Sequence, residues 1–590
     1  MSIYQKLIRE HQVTFAEINK KYNLISSIRL VLALFGIYVF YRYVVSNEVL
    51  FLAIGLTITG CFLWLMKTHK RLSIERNLVK TLIIINQDEA AHQNRESTPF
   101  ANGSEYINTE DVYSYDLDIF GEDSIFHNLN RTATFIGSHT FSTLLKTRLP
   151  ETEIVENQQA IAEAAHKVAW RQTVCALARQ AKDTRDNYDK LVKWSSQEQK
   201  AFSRPFLVLC YLVPLLFCVS FILVVLTSKE IFYHVSAVLF LVNLIIAFSQ
   251  SKKIKQSILD SDKLSKVIKQ YGLILDAIEQ EQYSSKKLKA LQNVLLQNNS
   301  IASEELKKLG VLFANTESIE NGMAAVILNG SVLYHIHVQV KLIRWKQKHA
   351  KYIKNWIDVI GQFEALNSLG NFSYNNPLFV FPEINSSDIV ELENMGHPLL
   401  AEEERVCNSV SFSNANLIVL TGSNMSGKST FLRSLGVNLV LSGIGSPICS
   451  TAASIHPQDV IVSMRQADSL SKGHSYFFAE VNRLKQLFER LETRKCFVLL
   501  DEILRGTNSD DKRNGTIEVI KKLVAKNAVG VIATHDLEVC EITKEYPDQL
   551  ANKHFEVQIS GNEMSFDYLL RDGVCKNKSA TFLMKKMGVI

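Results

Sequence analysis

The chain has 590 residues, which is too long for one hydrophobic core and predicts two to four domains. Its formal net charge of +5 suits an anionic partner, either a phosphate backbone or an inner-leaflet lipid surface, without requiring one. The nine cysteines form no C-x-x-C pair and no Cys/His cluster, which argues against a zinc site or a disulfide framework and indicates reduced thiols in a cytosolic compartment.

The first elements in chain order are two apolar runs, "RLVLALFGIYVFYRYVV" (29–45) and "VLFLAIGLTITGCFLWLM" (49–66), separated by a three-residue turn. About 18 apolar residues can cross a hydrocarbon core of about 30 Å as a helix. A buried core helix, the alternative, normally shows a polar stripe, and 49–66 shows none. Segment 29–45 reaches span length only if Arg29 and Arg42 extend to the lipid surface. Residues 1–80 are therefore predicted to carry a transmembrane hairpin.

A polar linker is predicted over 81–115, because its sequence lacks periodicity. Leu and Ile recur at three- and four-residue spacing through most of 116–380, which predicts a helical domain. Two further apolar runs, 206–227 and 231–249, interrupt that domain and predict a second transmembrane hairpin.

Basic residues flank both hairpins on the same side, and the turns between the apolar runs carry few of them. The flanking residues are Lys20, Lys21, Lys67, Lys70, Arg71, Lys200, Arg204, Lys252, Lys253 and Lys255. The positive-inside rule then predicts an integral protein of the inner (plasma) membrane, with its soluble domains in the cytoplasm.

After residue 380, short β-rich runs alternate with helical stretches, which predicts an α/β domain with a largely parallel sheet over 381–590. There "NLIVL" (416–420) predicts a strand, "TGSNMSGKST" (421–430) a turn, and "FLRSLGVNLVL" a helix. This is the context that a phosphate loop requires. The predicted nucleotide-binding residues are Gly422, Ser423, Asn424, Met425, Ser426, Gly427, Lys428, Ser429 and Thr430.

Each part of that pattern has a chemical role. Lys428 is expected to reach the β- and γ-phosphates of ATP, and Ser429 to bind Mg²⁺. The run "CFVLLDE" ends a predicted strand in two carboxylates: Asp501 is expected to hold the magnesium, and Glu502 to activate the attacking water. "VIATH" then places His535 at the end of another predicted strand, where it can sense the γ-phosphate.

Together, "TGSNMSGKSTFLR", "LLDEILRGTN", "ATHD" and "FDYLLRDGVCKNKSATFLMKKMGV" resemble the MutS DNA mismatch-repair family, an ABC-type P-loop ATPase. Upstream, 116–150 and "ENMGHPLL" (393–400) look like the start of that family's helical core and lever domain and the lead-in to its ATPase domain. The resemblance implies ATP, Mg²⁺ and a homodimer with composite sites. It further implies that Ser475, within "KGHSYFFAE", contacts the nucleotide of the other subunit. Tyr568 falls where the family can place an aromatic ring against adenine, and a core tyrosine is the alternative.

The N-terminal half departs from the family. A membrane hairpin stands where the family has a mismatch-reading domain, and the Phe-x-Glu triplets at Phe15, Phe120 and Phe478 lie in unsuitable contexts. Two hypotheses remain: ATP-driven dimer closure coupled to DNA binding, or an ATPase that moves its own membrane segments or a protein partner. The basic stretch "KLIRWKQKHAKYIKNW" (341–356) predicts a solvated basic face, a face on anionic lipid headgroups, or a contact with a DNA backbone.

Overall fold

The structure is a computed structural model that describes residues 3–199, 201–257, 261–296, 301–317, 322–465, 476–560 and 563–575. Most of these residues are helical, and two β-sheets lie beyond residue 380. The helices are α1 (Ile3–Ser46), α2 (Val49–Gln93), α3 (Ile125–Leu129), α4 (Phe135–Leu144), α5 (Glu151–His166), α6 (Val168–Ala181), α7 (Arg185–Ser196), α8 (Arg204–Thr227), α9 (Glu230–Ser257), α10 (Ser261–Glu279), α11 (Lys286–Leu295), α12 (Ala302–Glu317), α13 (Gly322–Val332), α14 (Tyr334–His349), α15 (Ile353–Asn375), α16 (Lys428–Ser442), α17 (Tyr476–Leu491) and α18 (Ser509–Ala525). The strands are β1 (Glu383–Ile384), β2 (Val390–Met395), β3 (Asn408–Ser411), β4 (Leu417–Thr421), β5 (Ala452–Ile455), β6 (Asp459–Ser463), β7 (Cys496–Asp501), β8 (Val529–Ala533), β9 (Leu550–Ser560) and β10 (Glu563–Asp572).

Four of these helices, α1, α2, α8 and α9, are long and apolar enough to cross a membrane. They contain the four apolar runs that the sequence singles out. Only 6% to 22% of the most apolar 18-residue window of each helix is buried within the chain, so most of their apolar side chains face outward. Helix α1 packs along α2, and α8 along α9. The described chain therefore has two apolar helical hairpins.

The predicted linker begins later than the sequence indicated, because α2 continues to Gln93. Its C-terminal part is buried: Leu82 and Ile85 pack with Ala176 of α6. Nearer the end of α2, the Glu89 carboxylate binds Arg131 with a Nε–Oε1 distance of 2.5 Å. These tertiary contacts hold a polar sequence in a helix, and only residues 94–115 keep the character of a linker, with one 3₁₀ turn at Ser104–Tyr106.

Helix α15 is the centre of the helical region and packs against α4 and α5. Two glycines let these helices approach closely. A Cβ atom on Gly361 would lie 2.6 Å from Thr140 Oγ1, and one on Gly370 would lie 3.0 Å from the Ala164 Cβ. A buried layer of aromatic rings extends this core, with Trp194 5.1 Å from Phe313 between ring centroids.

The larger sheet has six strands in the order β10-β9-β4-β8-β7-β6. All neighbouring pairs are parallel except β9 and β10. Strands β4, β7 and β8 are buried along their whole length, as expected for strands covered on both faces. Because these strands are parallel, the loops that follow β4, β7 and β8 meet at one edge. A smaller sheet has four strands in the order β1-β5-β2-β3.

Candidate functional site

The loop between β4 and α16 contains two glycines with backbone angles that favour glycine. The φ angles are +154° at Gly422 and +103° at Gly427. A Cβ atom on Gly422 would lie 2.6 Å from Ser426 Oγ and 3.0 Å from the Phe555 carbonyl oxygen, so no larger residue fits there. The loop leads into the N-terminus of α16, where free backbone N–H groups and the helix dipole favour an anion.

Lys428, the first residue of α16, turns its side chain back over this loop. Its Nζ donates to the carbonyl oxygens of Gly422 at 2.9 Å and Ser423 at 3.0 Å. Burial lowers the pKa of Lys428, and the nearby Glu502 and Asp501 carboxylates oppose that shift. The lysine therefore places a positive charge at the edge where β4 ends.

Ser429 and Asp501 form an oxygen pair beside Lys428. The Ser429 hydroxyl donates to Asp501 Oδ2 at 2.6 Å. Asp501 is the last residue of the buried strand β7, so its position is fixed by the sheet. Hydroxyl and carboxylate oxygens are ligands that Mg²⁺ accepts, usually together with phosphate oxygens and water.

Glu502 follows β7 in a left-handed backbone conformation with φ of +50°. Its backbone N–H donates to the Ala533 carbonyl at 3.0 Å, and its carboxylate pairs with His535 Nε2 and with Arg505 Nε at 3.3 Å. Burial raises the pKa of Glu502, but the hydrogen bond and charge of His535 outweigh burial and lower that pKa to about 2. The carboxylate is thus held ionised at the end of the sheet.

These groups line a cleft of about 710 Å³. One wall includes His397, which follows β2, and Asn408, which begins β3. The sequence analysis assigned neither residue to the site, although His397 lies within "ENMGHPLL". Asn408 donates through Nδ2 to the Tyr568 carbonyl at 3.0 Å. A Cβ atom on Gly427 would lie 3.0 Å from Tyr568 Cδ1, so the tyrosine ring stands directly over the loop.

The C-terminal domain that carries this cleft matches a known family. A family profile described as MutS domain V matches residues 418–589. Residues 418–589 therefore form a domain of the MutS type. The chain is 29% identical over 251 residues to "DNA mismatch repair protein MutS" of Thermotoga maritima, covering 41% of this chain and 31% of that protein.

Other MutS relatives show similar partial coverage. The chain is 31% identical over 229 residues to the Fusobacterium nucleatum "DNA mismatch repair protein MutS", covering 36% of this chain and 25% of that protein. It is 26% identical over 260 residues to human "MutS protein homolog 4", covering 42% and 27% respectively. The chain thus spans about a third or less of the length of these curated relatives.

The predicted site residues lie at or beneath the cleft, except Ser475. Residues 423–430, Asp501, Glu502, His535 and Tyr568 all line it, while Gly422 begins the loop beneath it. Ser475 lies outside the described residues. Sequence reasoning also passed over Glu480, the acidic residue of a dismissed Phe-x-Glu triplet. Its carboxylate accepts from the backbone N–H groups of Leu504 at 2.7 Å and Arg505 at 3.1 Å, and so fixes the loop after Glu502.

Proposed function

We propose that this chain is a membrane-anchored ATPase of the MutS type that hydrolyses ATP with Mg²⁺ in the cleft of its C-terminal ABC-type P-loop domain. The observation that carries the proposal is the convergence of Lys428, the Ser429–Asp501 pair and the Glu502–His535 pair at one sheet edge. Two carboxylates, a lysine and a helix N-terminus together suit a nucleotide triphosphate with its metal ion.

The loop fits a phosphate chain for a further reason. The hydroxyl oxygens of Ser423 and Ser426 are buried and have no hydrogen-bond partner among the described residues. Buried polar groups normally have partners, and phosphate oxygens would accept from both hydroxyls. Ser429 and Asp501 would hold Mg²⁺, which neutralises charge on the phosphate oxygens when it is bound.

The chain's own residues divide the reaction. The Lys428 ammonium holds the phosphate chain, and the Tyr568 ring covers the cleft where the adenine would lie. Glu502 accepts a proton from the attacking water at its carboxylate, and His535, paired with that carboxylate, orients it. A homodimer that closes over ATP, with Ser475 contributed across the interface, completes the proposed machine.

Membrane anchoring is the second part of the proposal. It is supported by the outward-facing apolar surface of the α1–α2 and α8–α9 hairpins and by the basic residues at their ends. In this arrangement residues 1–80 carry one hairpin, the helical domain of 116–380 carries the other, and the ATPase domain of 381–590 lies in the cytoplasm.

Coupling of ATP to DNA binding rests on the relatives, two of which are named DNA mismatch repair proteins. The alternative, an ATPase that moves its own hairpins, is favoured by a different observation. Tyr4 at the start of α1 donates to Asn375 Oδ1 at 2.6 Å, so the first hairpin is tied to the end of the central helix α15. Both readings share the same ATP site.

DNA binding by the full chain in lipid nanodiscs, with and without ATP and across salt concentrations, distinguishes them. ATP-dependent binding that weakens as salt rises supports the DNA function, because each phosphate contact releases counterions. Absence of binding at low salt, in a preparation that hydrolyses ATP, contradicts the DNA function and leaves the membrane function in place.

A further inference from the structure

Helix α13 is a short apolar element within the helical domain. Its residues, "GMAAVILNGSV" (322–332), include no charged side chain. Eleven residues of α-helix rise about 16 Å, which is about half of a hydrocarbon core of about 30 Å. Met323 is 77% exposed and Ile327 is 57% exposed, so an apolar face of α13 is left uncovered.

This face continues the apolar surface of the second hairpin. Helix α13 packs mainly against α9 and also touches α8. A Cβ atom on Gly330 would lie 2.3 Å from the ring of Phe240, so the helix end is pressed against that ring. Phe240 is in the middle of the apolar run 231–249, and α13 therefore ends near the middle of a candidate span.

Backbone carbonyl groups at this end of α13 accept hydrogen bonds from within the chain, although Asn243 Oδ1 beside them is buried without a partner among the described residues. Asn243 of α9, which is fully buried, donates through Nδ2 to the Gly330 carbonyl at 2.9 Å. The Ser331 hydroxyl donates to the Ile327 carbonyl at 2.7 Å. The last carbonyls of a helix lack partners within it, and in lipid such groups must be satisfied by protein. Asn243 thus supplies what a helix ending inside a bilayer needs.

The chain then turns away from α13. Leu333 has φ of +49°, and α13 meets the following helix at 82°. The start of α14 packs through Ile336 and Val340 on Cys210 and Ile246, near the basic-flanked ends of α8 and α9. A helix that stops midway, followed by a chain that turns toward the basic-flanked ends of α8 and α9, matches the outline of a re-entrant element.

Helix α14 and the turn after it carry a basic face beside this return. Its exposed members follow a three- and four-residue spacing and share one side of the helix. They are Lys341, Arg344, Lys348 and Lys351. Lys346 is the exception in this stretch: it is buried, with Nζ 4.5 Å from the Trp194 ring centroid. The exposed charges suit anionic lipid headgroups next to the proposed entry point.

We infer that α13 enters the bilayer as a half-spanning, re-entrant helix beside the second hairpin, with the basic face of α14 on anionic headgroups. The inference rests on the proposed membrane insertion of α8 and α9. The occupant of the uncovered α13 face is lipid, because that face is continuous with the outward surface of those helices and lies beside a cationic surface.

The test uses the full chain in nanodiscs of phosphatidylglycerol and phosphatidylcholine. Single variants Met323→Cys and Ile327→Cys are treated with a water-soluble maleimide, and modification is measured at each position by peptide mass spectrometry. Leu215→Cys is the control for the hairpin, being 60% exposed in the middle of α8. Leu378→Cys is the aqueous control, being 70% exposed between α15 and β1.

We expect positions 323 and 327 to react as slowly as position 215, and roughly tenfold or more slowly than position 378, because hydrocarbon excludes a charged thiolate and a polar reagent. Fast reaction at 323 and 327 with slow reaction at 215 would overturn the re-entrant helix and leave the hairpin intact. Fast reaction at 215 as well would overturn the hairpin and the inference together.

Asn243→Leu tests the polar anchor, with Ser220→Ala as its control. Ser220 shares a hydroxyl contact of 2.8 Å with Ser236 inside the same hairpin. We expect Asn243→Leu to speed labelling at position 323 while position 215 stays protected, and Ser220→Ala to change neither. Unchanged labelling at position 323 in Asn243→Leu would contradict the role of Asn243.

The basic face is tested by acylation of Lys341 and Lys348 in the same nanodiscs. Slower acylation in nanodiscs that contain phosphatidylglycerol, compared with phosphatidylcholine alone, supports headgroup contact. Equal acylation in both lipids, with protection only after a DNA duplex is added, would assign the face to nucleic acid and overturn this half of the inference.

Discussion

Lys428 and Glu502 perform opposite electrostatic tasks within one cleft. Lys428 brings a positive charge over the loop carbonyls, and Glu502 keeps a negative charge beside His535. Lys428 begins the helix that follows β4, and Glu502 follows β7, 74 positions later in sequence. The parallel order of β4, β8 and β7 brings the two side chains together. Binding and turnover should therefore respond separately to substitution.

The first prediction concerns binding. Lys428→Ala should abolish measurable ATP binding, because the phosphate chain loses its only lysine in the cleft as described. Lys495→Ala is the matched control: this lysine is 65% exposed and pairs with Asp388 away from the site. Fluorescent-nucleotide titration measures both. Wild-type affinity in Lys428→Ala would show that the loop does not bind the phosphates.

The second prediction concerns pH. Wild-type Glu502 stays ionised down to about pH 2, because His535 lowers its pKa, so it adds no acid limb to turnover above pH 5. In His535→Gln only the charges of Arg505 and Lys512 still oppose burial, so the pKa of Glu502 rises and the base is lost as pH falls through that higher value. On the acid side of its pH profile, kcat of this variant should begin to fall at a higher pH than kcat of the wild type. Profiles that superimpose after scaling would contradict the pairing.

Lys428, Ser429 and Asp501 could be predicted as one site from local pattern, because a phosphate loop keeps its residues consecutive, and the structure brings them to one cleft. Their roles in binding ATP and Mg²⁺ stay predictions. Sequence reasoning missed Glu480 and Asn408, since their roles depend on backbone groups that lie 24 and 160 positions away. No local pattern records such a partner.

At the scale of elements, helix α2 shows how tertiary contacts extend a helix beyond its sequence signal. Residues 81–93 look like a linker but are held by a buried ion pair and by a hydrogen bond from Asn371 Nδ2 to Glu89 Oε1 at 3.1 Å. Helix α13 shows the opposite case. Its 11 residues are too few for a span, so the sequence assigned them to the helical domain, and only the contact with α9 reveals their surroundings.

The third prediction tests the anchor of α2. Burial raises the pKa of Glu89, but Arg131 outweighs burial and keeps the carboxylate ionised. Glu89→Gln leaves Arg131 buried without its counter-charge, and should reduce the free energy of unfolding by about 3–5 kcal/mol. Thermal unfolding in detergent, followed by tryptophan fluorescence, measures the loss as a lower Tm.

Glu75→Gln is the control in the same helix. Its partner Arg71 is 82% exposed, and loss of such a surface pair should cost less than about 1 kcal/mol. Equal Tm values for Glu89→Gln and Glu75→Gln would show that the buried pair does not hold α2 to the core.

At the scale of the whole molecule, the chain joins two apolar hairpins to a C-terminal MutS-type domain through a helical core. The resemblance to MutS proteins could be predicted from the sequence because the ATPase motifs are contiguous. The place of the hairpins in the structure could not, because α1 reaches Asn375 through a contact between residues 371 positions apart. In the proposed mechanism, this contact would couple nucleotide-driven movement to the first hairpin.

The fourth prediction concerns the dimer. If Ser475 completes the partner's site, Ser475→Arg should lower turnover while ATP affinity stays close to wild type, because Lys428 and its loop remain whole. Mixed with Lys428→Ala, it should regain partial activity, since one complete site then forms per dimer. Phosphate release by each protein alone and by the mixture measures this. Full activity of Ser475→Arg alone would rule out a role across the interface.

The most direct test of a membrane-embedded MutS-type ATPase is phosphate release by the full chain in proteoliposomes after an alkaline carbonate wash. We expect the wild-type protein to stay in the lipid fraction and hydrolyse ATP in a Mg²⁺-dependent manner. Glu502→Gln should stay in the same fraction and bind ATP, but its turnover should fall by at least about 100-fold, because the water loses its general base. Equal rates in the two proteins, or loss of the wild-type chain from the lipid fraction, would contradict the proposal.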